Sequence, residues 1–154
     1  MQIRALIMDV DGTLTDGGIY IDNSGNSLKR FNVKDGYAIR NILPKYNIIP
    51  IIITGKQSNI VDIRCKELGI DYCIQNSSDK VKDLVSLTQK LDLNIDDIAY
   101  IGDDLNDLEV MKIVGLKGCP SDASQQIKDI CNYVCKKDGG NGAVREFIEW
   151  IINI

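Results

Sequence analysis

The sequence predicts a doubly wound α/β fold built on a mostly parallel sheet. Short apolar runs alternate with longer amphipathic segments, and the apolar runs are continuous rather than alternating in polarity. Continuous apolar runs are typical of strands that are covered on both faces, as in parallel sheets. Alternation of strands and helices along a chain places helices on both faces of such a sheet.

The predicted strands and helices follow one another along nearly the whole chain. Four runs are clear strand candidates and two are weaker; in order they cover residues 5–8, 48–53, 72–74, 98–101, 114–116 and 133–134. Five segments carry apolar residues at helical spacing; they cover residues 36–45, 59–68, 79–91, 106–113 and 143–152. The sequence contains neither an internal repeat nor a linker, so we expect one domain over residues 1–154.

Residues 17–33 break the alternation. Two β-like arms flank the turn-forming stretch 22–26, which predicts a β-hairpin inserted directly after the first strand. A hairpin there would overhang the carboxyl edge of the sheet, where open α/β folds bind their ligands.

Composition narrows the chemistry that is available to this chain. The 154 residues contain no histidine, which excludes Ser-His-Asp and Cys-His catalysis and every histidine-ligated metal site. The net charge of −4 argues against a nucleic-acid-binding surface. Catalysis would therefore have to use carboxylates, lysine, hydroxyls, thiols or a hard metal ion.

The cysteines and the apolar runs predict the cellular compartment of the protein. Five cysteines, an odd number with no C-x-x-C pair, are more consistent with buried thiols in a reducing cytoplasm than with disulfides or a zinc site. The N-terminus lacks a signal-peptide layout, and no apolar run approaches the roughly 18 residues of a membrane span. We therefore expect a cytoplasmic protein with no membrane partner.

Acidic residues follow two of the predicted strands. Asp9 and Asp11 come after the first strand, and because they are two apart in an extended segment they point to the same side. Gly12 allows a sharp turn there. After the fourth strand come Gly102 and a second acidic group, formed by Asp103, Asp104 and Asp107. Five carboxylates at one sheet edge require a cation, and an all-oxygen ligand set suits Mg²⁺.

Two further polar residues are expected at the same edge. Thr54 follows the second strand, and Lys80 opens the helix after the third. Taken singly, such residues are often turn formers, helix caps or solvated charges. Their joint order at successive strand ends instead predicts a phosphate site with an aspartate nucleophile.

These residues resemble the four motifs of the haloacid dehalogenase superfamily, and the similarity extends over essentially the whole chain. More narrowly, the chain resembles the 3-deoxy-D-manno-octulosonate 8-phosphate phosphatases. The closer likeness is carried by four stretches, residues 14–17, 31–37, 63–70 and 139–146. The resemblance implies a phosphoric monoester hydrolase that acts on a sugar-acid phosphate in lipopolysaccharide biosynthesis.

The resemblance also implies roles for single residues. Asp9 would attack phosphorus, and Asp11 would protonate the leaving oxygen and then activate water. Asp9, the main-chain carbonyl of Asp11 and Asp103 would hold Mg²⁺. Thr54 and Lys80 would bind the phosphoryl oxygens, with Gly55 beside them, while support for the metal and for Lys80 would come from Asp104 and Asp107.

By the same resemblance the enzyme would be a cap-less homotetramer whose hairpins form a central barrel. The apolar run Ile19, Tyr20 and Ile21 on the hairpin fits such an interface, although a small local core would explain it as well. The glycine-rich turn 139–142 would lie near the substrate entrance, or would simply begin the last helix.

The sugar is less well determined than the chemistry. Lys56 stands where many relatives carry arginine, and we expect Lys56 and Arg64 to bind the substrate carboxylate unless they are solvated charges. Three alternatives stay open: a 9-phosphate of a nine-carbon sugar acid such as N-acetylneuraminate, another small sugar phosphate, or a non-catalytic oligomerisation module. A response-regulator receiver is disfavoured because the third strand ends without an aspartate.

Overall fold

A six-stranded parallel sheet forms the centre of the molecule in the computed structural model, which describes residues 2–154. In chain order its strands are β1 (Ala5–Met8), β4 (Ile49–Ile53), β5 (Tyr72–Ile74), β6 (Ile98–Ile101), β7 (Leu116–Cys119) and β8 (Tyr133–Val134). The spatial order is β5-β4-β1-β6-β7-β8, with β1 in register with both β4 and β6. The predicted α/β class is confirmed.

Helices cover both faces of this sheet. They are α1 (Val33–Tyr37), α2 (Asn59–Leu68), α3 (Lys80–Leu91), α4 (Leu108–Ile113), α5 (Gln125–Ile130) and α6 (Ala143–Ile151). Side chains of β1 alternate between two cores: Leu6 and Met8 face the core beneath α2 and α6, whereas Ala5 and Ile7 face the core beneath α3, α4 and α5. Burial on both faces explains why the strands read as continuous apolar runs.

The hairpin follows β1 as predicted, but its regular part is short. Strand β2 (Tyr20–Ile21) pairs antiparallel with β3 (Ser27–Leu28), and every residue from Gly17 to Leu28 is exposed. Two-stranded hairpins of this size are marginal in water unless something holds them.

The first predicted helix differs from expectation in its start. It begins at Val33 rather than residue 36, because the Asn32 side chain caps it by accepting hydrogen bonds from the N–H groups of Lys34 and Asp35. Helical winding continues as a π segment over Ala38–Ile42 and a 3₁₀ turn over Leu43–Tyr46.

Two elements near the C-terminal half were misjudged from the sequence. The fifth strand lies at Leu116–Cys119, not at 114–116. Gly115 precedes it in a bend that packs against Asp96, where a Cβ on Gly115 would lie only 2.0 Å from the Asp96 carbonyl oxygen. Gly118 is an unusual residue for a strand. It lies against the Phe147 ring, which leaves no room for a side chain at this position. Helix α5 was not predicted at all.

The order of the strands sets the position of the site. The chain moves outward from β1 to β4 and β5, then crosses to β6 on the other side of β1. The carboxyl ends of β1 and β6 therefore flank the point where the strand order reverses, which is where ligands bind in open α/β sheets.

Candidate active site

The segment after β1 forms a tight loop at this reversal point. Its backbone turns sharply over Val10–Leu14, with Asp11 extended at ψ of 115° and Gly12 at φ of +88°. A Cβ on Gly12 would lie 2.0 Å from Oδ2 of Asp103, so glycine is needed both for its conformation and for the close approach. The Thr13 hydroxyl donates to Asp103 Oδ1 at 3.3 Å. The loop thus brings the end of β1 directly against the end of β6.

A buried lysine lies between two carboxylates at the centre of the site. Lys80 Nζ is 2.9 Å from Asp9 Oδ1 and 2.7 Å from Asp107 Oδ1. The Tyr100 hydroxyl, from the middle of β6, donates to the same oxygen of Asp107 at 2.6 Å. The two ion pairs are short and almost fully removed from water, so their charges act strongly on one another.

Helix starts hold this lysine and its partner in place. Lys80 opens α3, whose N-cap Asp79 accepts a hydrogen bond from the Lys82 N–H. Asp107 and Asp104 form a capping box before α4, and Asp107 Oδ2 accepts from the N–H groups of Asp103 and Asp104. Both oxygens of the buried Asp107 are therefore occupied, which fixes its orientation.

Three carboxylates converge beside the lysine. Asp9, Asp103 and Asp107 each offer an oxygen, and these atoms lie within 4.8 Å of one another. Burial, together with the neighbouring Asp107, raises the pKa of Asp9 to about 6. Burial and the adjacent Asp9 raise the pKa of Asp103 to about 8. The three carboxylates carry more negative charge than Lys80 neutralises, so their hard oxygen donors fit a divalent cation such as Mg²⁺. Asp107 would support the ion rather than bind it, because its two oxygens already accept hydrogen bonds.

The lysine itself stays charged in this setting. Burial alone would lower the pKa of Lys80, but the negative charges of Asp9 and Asp107 outweigh it and the pKa is raised. Burial and Asp107 likewise raise the pKa of the Tyr100 phenol, so Tyr100 remains a hydrogen-bond donor.

The residues after β4 complete the opening of the site. Thr54 is buried; its N–H donates to the Ile74 carbonyl and its carbonyl accepts from the Ser77 N–H, which ties the loop to the end of β5. A cavity of about 320 Å³ lies over the cluster. It is lined by Asp9, Asp11, Thr54, Gly55, Lys56, Asp103, Asp104, Leu105 and Asn106.

Asp11 lies at the edge of the cluster rather than within it. Its Oδ1 is 2.5 Å from the Lys29 ammonium, which reaches back from the end of the hairpin. Lys29 was not identified from the sequence, and a basic residue at the base of a hairpin gives little signal by itself. Tyr100 was also missed, because it reads as one more apolar position of a buried strand.

Arg64 is not brought to the carboxylate cluster of its own chain. Its guanidinium lies over the Phe31 ring, 5.3 Å from the centroid, and donates to Glu67 and to the Asn32 carbonyl. Lys56 is exposed and lines the cavity over the cluster. Of the two residues predicted to bind a substrate carboxylate, only Lys56 lies at the site within one chain.

The glycine-rich turn before α6 packs against the loop after β1. The Gly140 N–H donates to the Thr13 carbonyl at 3.2 Å, and a Cβ on Gly139 would lie 1.9 Å from the Gly12 carbonyl oxygen. These glycines are needed because two backbones touch there, so the turn packs directly against the loop after β1.

Comparisons with known proteins agree with this geometry. A family model described as haloacid dehalogenase-like hydrolase matches residues 70–148. A curated 3-deoxy-D-manno-octulosonate 8-phosphate phosphatase of Escherichia coli (strain K12) is 44% identical over 151 residues, which are 98% of this chain and 80% of the relative. The corresponding enzyme of Yersinia pestis is 43% identical over the same shares of each chain.

Solved structures are similar over the same extent. The 3-deoxy-D-manno-octulosonate 8-phosphate phosphatase of Moraxella catarrhalis, in complex with magnesium, phosphate and KDO, has a TM-score of 0.94 at 43% identity, covering 98% of this chain and 86% of that one. The cobalt-bound enzyme of Haemophilus influenzae has a TM-score of 0.92 at 32% identity, covering 99% and 88%. Among residues 2–154, none of the helices combines the length and apolar character needed to cross a bilayer.

Proposed function

This chain belongs to the haloacid dehalogenase-like hydrolases, in the family of 3-deoxy-D-manno-octulosonate 8-phosphate phosphatases, and we propose that it hydrolyses that sugar-acid phosphate in a Mg²⁺-dependent reaction. The product would be a lipopolysaccharide precursor. The observation that carries the proposal is the buried Lys80 held between Asp9 and Asp107, beside Asp103. A structural ion pair alone does not require a third converging carboxylate.

In the proposed reaction, Asp9 is the nucleophile. Lys80 holds Asp9 through Oδ1, which leaves the other oxygen to attack phosphorus and form an aspartyl-phosphate while the bond to the sugar oxygen breaks. Asp11 gives its proton to the leaving sugar oxygen. It then takes a proton from the water that attacks the aspartyl-phosphate, which releases phosphate and restores Asp9.

The remaining residues stabilise charge and position. Thr54, Gly55 and Lys80 would bind the phosphoryl oxygens, which carry the negative charge of the transition state. Asp9, the Asp11 carbonyl and Asp103 would hold Mg²⁺, with Asp104 and Asp107 supporting them. When bound, the ion neutralises phosphoryl charge and orients the ester for attack.

Lys56 is the candidate for the far end of the substrate. It lines the cavity over the cluster, where its ammonium is available to the carboxylate of a sugar acid. Arg64 is the weaker candidate, because it lies over Phe31 and is paired with Glu67.

We also infer a homotetramer assembled through the hairpins. Ile19, Ile21 and Leu28 are 78%, 65% and 71% exposed on a hairpin that is too short to bury them itself. Exposed apolar clusters of this kind are typical of interfaces.

A cytoplasmic location is supported by the five cysteines, which are all free thiols.

The direct test compares phosphate release from 3-deoxy-D-manno-octulosonate 8-phosphate and from N-acetylneuraminate 9-phosphate, with Mg²⁺ and after dialysis against EDTA. We expect preference for the eight-carbon ester, loss of turnover with EDTA and recovery with Mg²⁺. Preference for the nine-carbon ester would move the enzyme to sialic-acid-type biosynthesis. Turnover of neither by folded, metal-loaded protein would favour an oligomerisation module, and metal-independent turnover would contradict the carboxylate site.

A further inference from the structure

Lys29 directly follows the second strand of the hairpin and contacts Asp11 in the loop after β1. The residues from Gly17 to Leu28 are exposed, whereas the Lys29 side chain is only 15% exposed. Its Nζ lies 2.5 Å from Oδ1 of Asp11, across 18 residues of sequence. A surface lysine at the end of a hairpin usually extends into water, so this inward contact calls for an explanation.

Two cavities meet at Asp11. One is the cavity over the carboxylate cluster, and the other, of about 330 Å³, lies beneath the hairpin. Asp11 and Lys56 line both cavities, and Lys29 lines the one beneath the hairpin. An ester whose phosphate lies over the cluster and whose sugar occupies the second cavity would pass its bridging oxygen close to Asp11.

The two oxygens of Asp11 have different surroundings. Lys29 donates to Oδ1, while among residues 2–154 no donor is hydrogen-bonded to Oδ2. The Asp11 side chain is 36% exposed, so without the ammonium it would be free to turn between rotamers. Proton transfer requires the donor and acceptor atoms to lie within about 2.6–3.2 Å, so a freely turning carboxyl group would transfer a proton less efficiently.

We propose that Lys29 is a positioning residue for the hydrolysis, which fixes the Asp11 carboxyl group through Oδ1 so that Oδ2 faces the leaving oxygen. The inference rests on the role of Asp11 in the proposed function. The contact is compatible with that role, because the ammonium can donate to the carbonyl oxygen of the protonated carboxyl group while the other oxygen carries the transferable proton.

Three substrates separate this role from the alternatives. They are 3-deoxy-D-manno-octulosonate 8-phosphate, which has an alkoxide leaving group and a carboxylate; glucose 6-phosphate, which has the alkoxide alone; and p-nitrophenyl phosphate, whose leaving group departs without a proton. The measured quantity is kcat/KM, because it reports the formation of the aspartyl-phosphate and not its breakdown. Lys29→Gln is compared with the wild type for each ester.

Positioning of Asp11 predicts a fall that depends on the leaving group. Lys29→Gln should lower kcat/KM by a similar factor for both sugar esters, roughly 10–100-fold, and by less than about threefold for p-nitrophenyl phosphate. Lys29→Arg should recover part of the loss, because its guanidinium also donates to Oδ1. Lys34→Gln, at an exposed lysine of α1, is the matched control and should leave all three values unchanged.

Other patterns would overturn the proposal. A loss confined to the sugar-acid ester would mean that Lys29 binds the substrate carboxylate, and an equal loss for all three esters with a lower melting temperature would mean that it only anchors the hairpin. If the wild type does not hydrolyse the sugar-acid ester but hydrolyses the other two, the proposed substrate is wrong. Comparing glucose 6-phosphate with p-nitrophenyl phosphate then still decides the role of Lys29.

Discussion

The carboxylate cluster and the hairpin are neighbours in space but are built in opposite ways, because the cluster joins distant segments of the chain whereas the hairpin is local in sequence. Asp9, Lys80 and Asp107 are 4%, 6% and 0% exposed and are held by strands and helix starts. The hairpin has two residues per strand and carries its apolar side chains in solvent. The cluster forms within one chain, whereas the hairpin leaves apolar side chains exposed.

Polar contacts nevertheless tie the base of the hairpin to its neighbouring segments. The Tyr20 hydroxyl donates to Asp16 at 2.5 Å, and Arg30 donates to the Gly140 carbonyl at 3.2 Å and to Asn141. Lys29 adds the contact to Asp11. The sheet and its helix starts therefore hold the buried charges, while the segment that closes the hairpin contacts the candidate general acid Asp11 from the solvent side.

The largest effect is expected from removing the nucleophile. Asp9→Asn should lower kcat by at least about 10⁴-fold, because the amide cannot attack phosphorus. The fold should persist, since the side chain keeps its shape and Lys80 keeps Asp107 as a partner. Phosphate release and thermal unfolding are measured together, with the exposed Asp71→Asn as the control; retained turnover would end the assignment.

A second large effect should follow from removing the central cation. Lys80→Met leaves two buried carboxylates without their partner, which should destabilise the protein by about 3–5 kcal/mol and abolish turnover. Urea unfolding measures the loss. The double variant Lys80→Met/Asp107→Asn should regain part of that stability but no activity, and equal stability of the single and double variants would contradict the electrostatic explanation.

Substitutions in the hairpin should disrupt oligomer formation without a large effect on phosphatase activity. If the proposed tetramer forms through the hairpins, Ile19→Asp together with Ile21→Asp should convert it to smaller species. Turnover of p-nitrophenyl phosphate should stay within about threefold, because the cluster belongs to one chain. Light scattering measures the mass, and Val85→Asp, at an exposed position of α3, is the control. A wild-type protein that is already a monomer would refute the interface.

The smallest effect concerns pH. In metal-free protein the raised pKa values of Asp9 and Asp103 mean that the native state binds more protons than the unfolded state between roughly pH 4 and 8. Stability should therefore fall as pH rises through this range, as both carboxylates are forced to ionise in a buried site. Melting temperatures at several pH values test this.

Mg²⁺ should reverse that pH trend, because it binds the ionised carboxylates and so stabilises the native state increasingly as pH rises. Asp9→Asn should make the metal-free curve less steep, while Asp103 and the buried Asp35, whose pKa is also raised to about 6, keep part of the trend. A metal-free protein that gains stability over the same range would show that the cluster carboxylates ionise more easily when folded than when unfolded.

Much of the fold was accessible from the sequence because its signals are local. The bounds of β1, β5, β6, β8 and α2 agree with the patterns that predicted them. The fifth strand was displaced and α5 was missed, because Lys117 and Gly118 do not resemble a buried strand and Gln125–Ile130 is too short for a helical period to be recognised.

The sequence by itself determined which residues follow the strands of a parallel sheet, and therefore that Asp9, Thr54, Lys80 and Asp103 would share one edge. Only the tertiary structure decided which charges pair. Lys80 pairs with Asp9, which is 71 residues away in sequence, and with Asp107, which is 27 residues away. Lys29 pairs with Asp11. The physical reason is that periodicity and propensity report the environment of each residue along its own segment, whereas an ion pair depends on distances between segments that the chain brings together only when it packs.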